Sequence, residues 1–187
     1  MVVMMDNIDL SENTLSDALT LPSNRDAEEA LIGAVLINQD VFLDIAQFLS
    51  AEDFFIVRNQ WIWEAFQQIK ETRNPIDLVT VTETLANRGQ LDEVGGQSYL
   101  ISLINRAPNA YHAESYGRII EQNAIRRRML DAANEIARLA YHQDQSIDTV
   151  VDDAEKAIFN VSERRIKRDL KPIKEVATEY YERIEEI

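Results

Sequence analysis

The sequence predicts an all-α protein: a small globular helical bundle, then a protruding antiparallel helical hairpin, then a terminal linker helix. The first observation is composition, because only 5 Gly and 4 Pro occur among 187 residues and helix-forming residue types fill most other positions. The second is that apolar residues recur three and four positions apart, which places them on one helix face. The third is a capping residue before several of these stripes.

Charge and composition exclude several classes of function. The formal net charge is −14, so the bulk electrostatics repel phosphate backbones and we expect the isolated chain to bind DNA poorly. There is no Cys, which removes disulfides and thiolate metal sites and is typical of a reducing cytosol. No basic leader and no run of ~18 apolar residues occurs, so we expect neither export nor a membrane span.

Residues 1–20 are predicted to be a mobile acidic tail, because their apolar residues are scattered with only weak periodicity. A globular helical subdomain is predicted over residues 21–108, with Asn24 or Asp26 capping its first helix. Five apolar stripes mark the helices of this subdomain: Ala27, Ala30, Leu31, Ala34 and Val35; Val41, Ile45, Phe48 and Leu49; Trp61, Ile62, Ala65, Phe66 and Ile69; Leu78, Val81 and Leu85; Tyr99, Leu100, Leu103 and Ile104.

The boundaries of these helices follow from capping and turn residues. Ser50 with Asp53 has the spacing of a capping box, and proline restricts the residue before it, so a helix ends ahead of Asn74-Pro75. Gly89 suits a left-handed C-cap. The remaining boundaries are expected at Asp40, Asp77 and Gly95-Gly96.

Two stretches of the globular subdomain need a choice between interpretations. Val79-Thr80-Val81-Thr82 has strand propensity, but we predict helix because one short β-rich run has no pairing partner. The apolar run Phe54-Phe55-Ile56-Val57 is predicted to lie in the core.

A helical hairpin that mediates self-association is predicted over residues 109–163. Its first helix extends from about Tyr111 to Tyr141 and is ~45 Å long at 1.5 Å per residue, more than a small globule needs. Two helices cannot cover both of their own faces, so the hairpin should dock against another surface. The predicted association residues are Ile119, Ile120, Leu130, Ala133, Ala137, Ile147, Val150, Val151, Ala154 and Ile158.

A linker with an amphipathic helix is predicted over residues 164–187. Arg164-Arg165-Ile166-Lys167-Arg168 forms a basic joint, and Pro172 suits the first turn of a helix. A single amphipathic helix beyond a linker usually needs a groove on another domain or subunit. The predicted docking residues are Ile173, Val176, Tyr180 and Ile184.

The search for a catalytic, metal or cofactor site assigns no residue to any of these roles. Gly95-Gly96 precedes Gln97-Ser98 and forms a turn, not a phosphate-binding loop. The two histidines, His112 and His142, lie far apart in sequence and are too few for a zinc site. A hydrolase built from Glu28 or Asp77 with His112 lacks a nucleophile with an oriented base.

Charged and aromatic clusters also have structural interpretations. We read the acidic pairs Glu28-Glu29 and Asp152-Asp153 as a helix start or a solvated face, because adjacent helical residues do not converge. The run Arg126-Arg127-Arg128 is read as solvated or paired between subunits, with nucleic-acid binding as the alternative. Tyr180-Tyr181 and Trp61-Ile62-Trp63 are read as packing residues.

Four motifs occur in the order that is typical of the N-terminal domain of the bacterial replicative DNA helicase, the DnaB family. They are Pro22-x-Asn24-x-x-Ala27-Glu28-x-Ala30-x-x-Gly33, Glu52-Asp53-Phe54-Phe55, Pro75-Ile76-Asp77-Leu78-Val79-Thr80 and Val94-Gly95-Gly96-x-x-Tyr99-Leu100. Ala132 to Ala137 and Ala154-Glu155-x-x-Ile158-Phe159 extend the match through the hairpin. The stretch from Leu170 to Val176 resembles the start of that family's linker, and the RecA-like ATPase domain of the family is missing.

The resemblance implies a domain that assembles as dimers into a hexameric ring collar and docks primase at the replication fork. It implies that the linker helix packs on the ATPase domain of a neighbouring subunit, and it brings a helicase loader into consideration as a partner. ATP and Mg would belong to the motor domain, DNA would be bound only through the full-length ring, and the location would be cytoplasmic, at the bacterial nucleoid. The alternatives are the helicase-binding domain of a primase, which shares the architecture, and an unrelated helical adaptor.

Overall fold

The computed structural model describes residues 20–107, 110–141 and 146–169, and within them the chain is helical without strands. The helices are α1 (Arg25–Ile37), α2 (Val41–Ala46), α3 (Val57–Glu71), α4 (Leu78–Asn87), α5 (Leu91–Val94), α6 (Gly96–Arg106), α7 (Ala113–Tyr141) and α8 (Ile147–Asp169). Two short 3-10 helices, Ala51–Asp53 and Ala110–His112, precede α3 and α7. The predicted all-α architecture is confirmed.

Helix α1 lies at the centre of the globular subdomain and packs against α6, α7 and α3. Leu31 and Ile32 on this helix are completely buried. Gly33 lets the backbones of α1 and α6 approach closely, because a Cβ atom at this position would lie 2.2 Å from the carbonyl oxygen of Leu103. The distance between α1 and α6 therefore depends on the absence of a side chain at Gly33.

Aromatic side chains fill the space between α2, α3 and the segment that joins them. Trp63 and Phe66 on α3 are fully buried, and the ring centroid of Phe42 lies 5.0 Å from that of Trp63. Phe54 also packs against Trp63, with the centroids 5.2 Å apart. This cluster holds α2 and α3 together in the core.

Most of the predicted helix boundaries occur where the capping residues placed them. Asn24 accepts a hydrogen bond from the backbone N–H of Ala27, so Asn24 and not Asp26 caps α1. Asp77 accepts from Val79 and Thr80 and caps α4, the helix predicted over the β-rich run. The capping box of Ser50 with Asp53 is present, and Gly89 has a left-handed φ of 68°.

Three local predictions are wrong. Asp40 makes no side-chain capping bond to α2. Phe55 and Val57 are exposed, and only Phe54 of the predicted core run is fully buried, because α3 begins at Val57 and turns that side chain outward. A run of apolar residues at a helix start cannot face one side throughout.

Helix α7 belongs to both parts of the molecule. Its first half packs on α1 and α2, and Gly117 lies against the side chains of Ile45 and Phe48. Its second half pairs with α8. The two helices are antiparallel, because Arg128 on α7 and Val161 on α8 line the same groove although both lie far from the connection between Tyr141 and Ile147. The predicted hairpin is therefore present.

Helix α8 continues to Asp169, so the described backbone shows a helix where a basic joint at Arg164–Arg168 was predicted. Residues 1–19 of the tail, His142 and the predicted linker-helix residues Ile173, Val176, Tyr180 and Ile184 lie outside the described residues. In the described part of the chain, no helix is long and apolar enough to cross a membrane.

Candidate association surface and its attachment to the globule

Few side chains are buried between α7 and α8, so the contact between the two helices covers only part of the surface of each. Leu139 is buried between α7 and α8. Ala132 and Ile136 on α7 and Ala157 and Val161 on α8 are half-buried. Since several other large apolar residues on both helices are exposed, the pairing of the two helices leaves a large apolar surface unpacked.

Most of the predicted association residues lie on that outward surface. On α8, Ile147, Val151 and Ile158 are exposed, and Ile158 keeps 59% of its surface accessible. On α7, Leu130 is exposed. Ala133 and Ala137, three and seven residues further along the same face, are also exposed. We call these exposed residues the association stripes: Ile119, Leu130, Ala133, Ala137, Ile147, Val151 and Ile158.

Three predicted association residues are placed differently. Ile120 is 1% exposed and belongs to the core of the globule, because the first half of α7 turns this position toward α1 and α2. It is therefore not available to a second chain. Val150 and Ala154 are half-buried on α8 and are only partly accessible.

The sequence analysis missed two exposed aromatic side chains on the hairpin. Tyr141 is exposed at the end of α7 and continues the spacing of Leu130 and Ala137, so extending that stripe by four residues would have found it. Phe159 is exposed on α8 but follows Ile158 directly and therefore points away from its stripe, and no periodic signal marks it.

Two arginines attach the hairpin to the globule at the point where α7 leaves it. Arg127 donates to the carbonyl oxygens of Pro22 at 2.7 Å and of Asp53 at 2.6 Å. Arg128 donates to the Asp53 carboxylate at 2.6 Å, and this carboxylate is completely buried. The prediction that these arginines are solvated or paired between subunits is wrong, because both bind within the chain; Arg126 alone of the three is exposed.

Below this attachment, Glu28 joins α1 to the start of α3. Its carboxylate accepts hydrogen bonds from the backbone N–H of Phe55 at 2.7 Å and Ile56 at 3.2 Å and from Asn59 Nδ2 at 3.0 Å. Burial raises the pKa of Glu28, although these bonds oppose the increase. Because all three donors belong to the segment that begins α3, Glu28 holds the start of this helix against α1. The Glu28 carboxylate also interacts electrostatically with Arg127.

Glu29 faces the other side of α1 and binds arginines. Arg25 Nε lies 2.7 Å and Arg106 Nη1 2.5 Å from its carboxylate oxygens. Burial disfavours the charged form, but the hydrogen bonds from Arg25 and Arg106 prevail and lower the pKa of Glu29. Glu28 lies in the first turn of α1, in agreement with the helix-start interpretation, whereas the alternative of a solvated face is wrong, since both carboxylates are buried.

The acidic and imidazole residues that were considered for a metal site or a hydrolase lie in separate parts of the described structure. They contain no group of three His, Cys, Asp or Glu side chains that could hold a metal ion. His112 is exposed in the short helix before α7, and Asp77 uses its carboxylate to cap α4, where its bonds to Thr80 and Val79 lower its pKa. The acidic and imidazole side chains considered for a hydrolase thus do not converge.

The chain is similar to known replicative helicases over one part of their length. The family described as "DnaB-like helicase N terminal domain" matches residues 20–122, more than half of the chain. The replicative DNA helicase DnaB of Geobacillus stearothermophilus is 36% identical over 164 residues, which cover 88% of this chain and 36% of the relative. The chain therefore spans little more than a third of that helicase.

Solved structures give the same answer for the fold. The N-terminal domain of DnaB helicase from Mycobacterium tuberculosis is 29% identical, with a TM-score of 0.72, and the match covers 75% of this chain and 99% of that one. The N-terminal domain of DnaB helicase from Helicobacter pylori, described with its interactions with primase, has a TM-score of 0.55 at 20% identity, and the match covers 63% of this chain and 91% of that one. The chain belongs to the DnaB-like helicase N-terminal domain family.

Proposed function

We propose that this chain is the collar domain of a hexameric replicative DNA helicase, where it joins subunits into a ring and docks primase. The exposed apolar surface of the hairpin carries the proposal. Because α7 and α8 pack on each other through one side only, the association stripes stay in water unless a second chain covers them. Membership in the helicase family disfavours the alternatives, a primase domain and an unrelated adaptor.

A second copy of the chain is the occupant that best fits the association stripes. Both α7 and α8 carry a stripe, so a hairpin offers the same apolar surface to its partner that the partner offers to it, as a two-fold dimer requires. The net charge of −14 repels like chains. Association must therefore come from apolar burial, and raising the salt concentration should strengthen it.

Primase docking is proposed for the collar from the family relationship. The Helicobacter pylori relative is described with its interactions with primase, and the globule of this chain has the all-helical architecture of its family. No single surface patch of the globule is assigned as the contact. A titration of the primase C-terminal domain into this chain tests the partner directly.

The proposal also assigns roles to the parts of the helicase outside the collar domain. The RecA-like motor that relatives carry beyond this length would bind ATP and Mg and translocate on DNA, which the acidic collar would contact only through the assembled ring. The linker helix, with Ile173, Val176, Tyr180 and Ile184, would pack on the motor of a neighbouring subunit. A helicase loader would act on the assembled ring, in the cytoplasm at the nucleoid.

The decisive experiment measures self-association after charges are placed on α8. We expect the double substitution V151E/I158E to weaken the dimer by at least about 10-fold in sedimentation equilibrium, because each replaces an apolar contact with a desolvated charge. The control N87E/Q97E adds the same two charges at exposed positions of α4 and α6 and should leave the dimer nearly unchanged. Equal weakening by both variants, or no dimer in the unmodified chain at any concentration, would overturn the assembly role.

A further inference from the structure

Three arginines converge on one carboxylate at the surface formed by α1, α3 and α6. Glu29 Oε1 lies 2.7 Å from Arg25 Nε and 3.7 Å from Arg58 Nη2, and Glu29 Oε2 lies 2.5 Å from Arg106 Nη1. The Arg58 guanidinium also stacks 3.9 Å from the centroid of the Tyr99 ring. The side chains come from three helices, so the fold and not one local sequence assembles the cluster.

This cluster carries more positive charge than its own acidic groups neutralise. Asp26 is the other carboxylate of the neighbouring groove, so three arginines face two carboxylates, in a chain whose net charge is −14. The side chains of Arg25 and Arg106 remain 62% and 64% exposed. Each guanidinium has five N–H donors, and the bonds to Glu29 use only a small part of them.

An open groove of about 490 Å³ lies beside the cluster. Arg106 and Asp26 contribute charge to its wall, whereas Ala27, Ala30, Tyr116 and Ile119 contribute apolar surface. Ile119 is exposed there although it lies beside the core residue Ile120. A ligand that fits this groove must therefore combine carboxylates with aliphatic side chains.

We propose that residues 1–19 of this same chain dock in the groove between α1, α6 and α7. In the docked state, their carboxylates pair with Arg25 and Arg106 and their aliphatic side chains cover Ile119 and Tyr116. The segment has this mixed chemistry: it contains no Lys or Arg, and its acidic and large aliphatic residues alternate from Asp6 to Leu19. The acidic residues are Asp6, Asp9, Glu12 and Asp17, and the aliphatic ones are Ile8, Leu10, Leu15 and Leu19.

The connection between segment and groove is short. Arg127 holds the carbonyl oxygen of Pro22 at 2.7 Å, and Asn24, two residues later, already lines the groove. At roughly 3.5 Å per extended residue, a stretch of ten residues before Pro22 reaches ~35 Å, more than the length of α1. A short tether of this kind gives effective concentrations on the order of millimolar, so even weak ion pairs suffice for docking.

This proposal replaces the sequence-based expectation of a mobile tail with a segment that covers one end of the association stripes, since Ile119 belongs to both surfaces. Docking by exposed ion pairs is weak individually and depends on salt. The bound state is therefore reversible. Its test must measure the proximity of residues 1–19 to the groove in the intact chain.

The chain has no Cys, so the substitution S16C provides a single attachment point for a spin label in the complete chain. We expect the label to broaden the amide resonances of Arg106 and Ile119, which are remote in sequence but line the groove. The additional substitution R106Q should lower the docked-to-undocked ratio about threefold, as loss of one exposed ion pair does. R106K should restore most of the broadening because it keeps the charge.

The matched control is R73Q, which removes an exposed arginine outside the cluster and should leave the broadening unchanged. Mixing spin-labelled chain with isotope-labelled, spin-free chain separates the two possible sources. Broadening of Arg106 and Ile119 in the mixed sample, where the label and the observed amides are on different chains, would assign the groove to a second copy and overturn the proposal. Absence of broadening at these amides in the singly labelled chain, or equal losses in R106Q and R73Q, would overturn it as well.

Discussion

The globule and the hairpin are both built from amphipathic helices but bury their apolar residues to very different extents. In the globule, α1 is covered on several sides, and side chains as large as Trp63 and Phe66 are fully buried. In the hairpin, α8 packs mainly on the second half of α7, where Leu139 is the buried apolar side chain among the described residues. Among the described residues, stability within the chain therefore resides mainly in the globule, whereas the hairpin leaves much of its apolar surface exposed.

The two regions are joined by hydrogen bonds of charged side chains as well as by the apolar packing of the first half of α7. Where α7 leaves the globule, Arg127 and Arg128 bind the segment around Asp53, and Glu28 anchors the start of α3 next to them. Buried polar contacts need defined geometry, which apolar contacts do not. These hydrogen bonds therefore define which segment of the globule α7 contacts at the junction.

The largest contrast between the regions should appear when the same truncation is made in each. Phe66→Ala removes a fully buried ring that packs edge-on against Trp63 at 6.0 Å, and we expect it to lower the free energy of unfolding by about 3–5 kcal/mol. Ile158→Ala on the exposed stripe should change it by less than about 0.5 kcal/mol at concentrations where the chain is monomeric. Urea denaturation followed by circular dichroism measures both. A cost above about 2 kcal/mol for Ile158→Ala would mean that the hairpin has a core of its own.

Adjacent arginines at the junction provide the next contrast. Arg128→Ala leaves the buried Asp53 carboxylate without its guanidinium, and we expect a loss of about 3 kcal/mol, the lower end for breaking a buried pair, because Arg128 is partly exposed. Arg126→Ala removes the same charge from the exposed neighbour and should cost less than about 0.5 kcal/mol. Thermal unfolding of the two variants gives the comparison. Similar losses would show that the junction is not held by this ion pair.

These contrasts also explain what the sequence could and could not reveal. Helical periodicity and capping residues are local, so α4 was predicted correctly through Asp77 despite its β-rich residues. Burial of charged residues is not local. Glu28 and Glu29 appear as an ordinary acidic helix start, and their donors come from Asn59 and Arg106, 31 and 77 residues away.

The residues of the candidate association surface also fall into those that local periodicity identifies and those that depend on distant contacts. Residues such as Val151 and Ile158 were identified because a stripe with no partner in its own chain must face outward. Ile120 was assigned to the same surface in error, because the stripe of α7 does not reveal where this helix stops packing on the globule. That point depends on Arg127 and Arg128, whose partners are 105 and 75 residues distant.

Two glycines test how tightly each part of the molecule is packed. Gly33→Ala would place a Cβ atom 2.2 Å from the Leu103 carbonyl oxygen, and this backbone contact cannot relax without separating α1 from α6, so we expect a loss of about 1–3 kcal/mol. Gly117→Ala meets only side-chain atoms of Phe48 and Ile45, at 3.0 and 3.1 Å. Its higher helix propensity, worth about 1 kcal/mol, offsets that strain, and the net change should be near zero. Chemical denaturation of the two variants ranks them, and the reverse order would contradict the close approach of α1 and α6.

The smallest expected effect separates the adjacent glutamates by pH. Burial raises the pKa of Glu28 above its ordinary value of 4.5, so the unfolded state releases the proton first, and acidification through the folded pKa stabilises the protein. The pKa of Glu29 is lowered by Arg25 and Arg106, so its contribution is present above 4.5 and is lost as pH falls through the folded value. Urea midpoints from pH 8 to pH 3 should therefore diverge between Glu28→Gln and Glu29→Gln when each is compared with the unmodified chain. The advantage of the unmodified chain over Glu28→Gln should grow on acidification, and its advantage over Glu29→Gln should shrink. Parallel profiles would mean that the two carboxylates share one environment, and the distinction between the anchor of α3 and the arginine cluster would be lost.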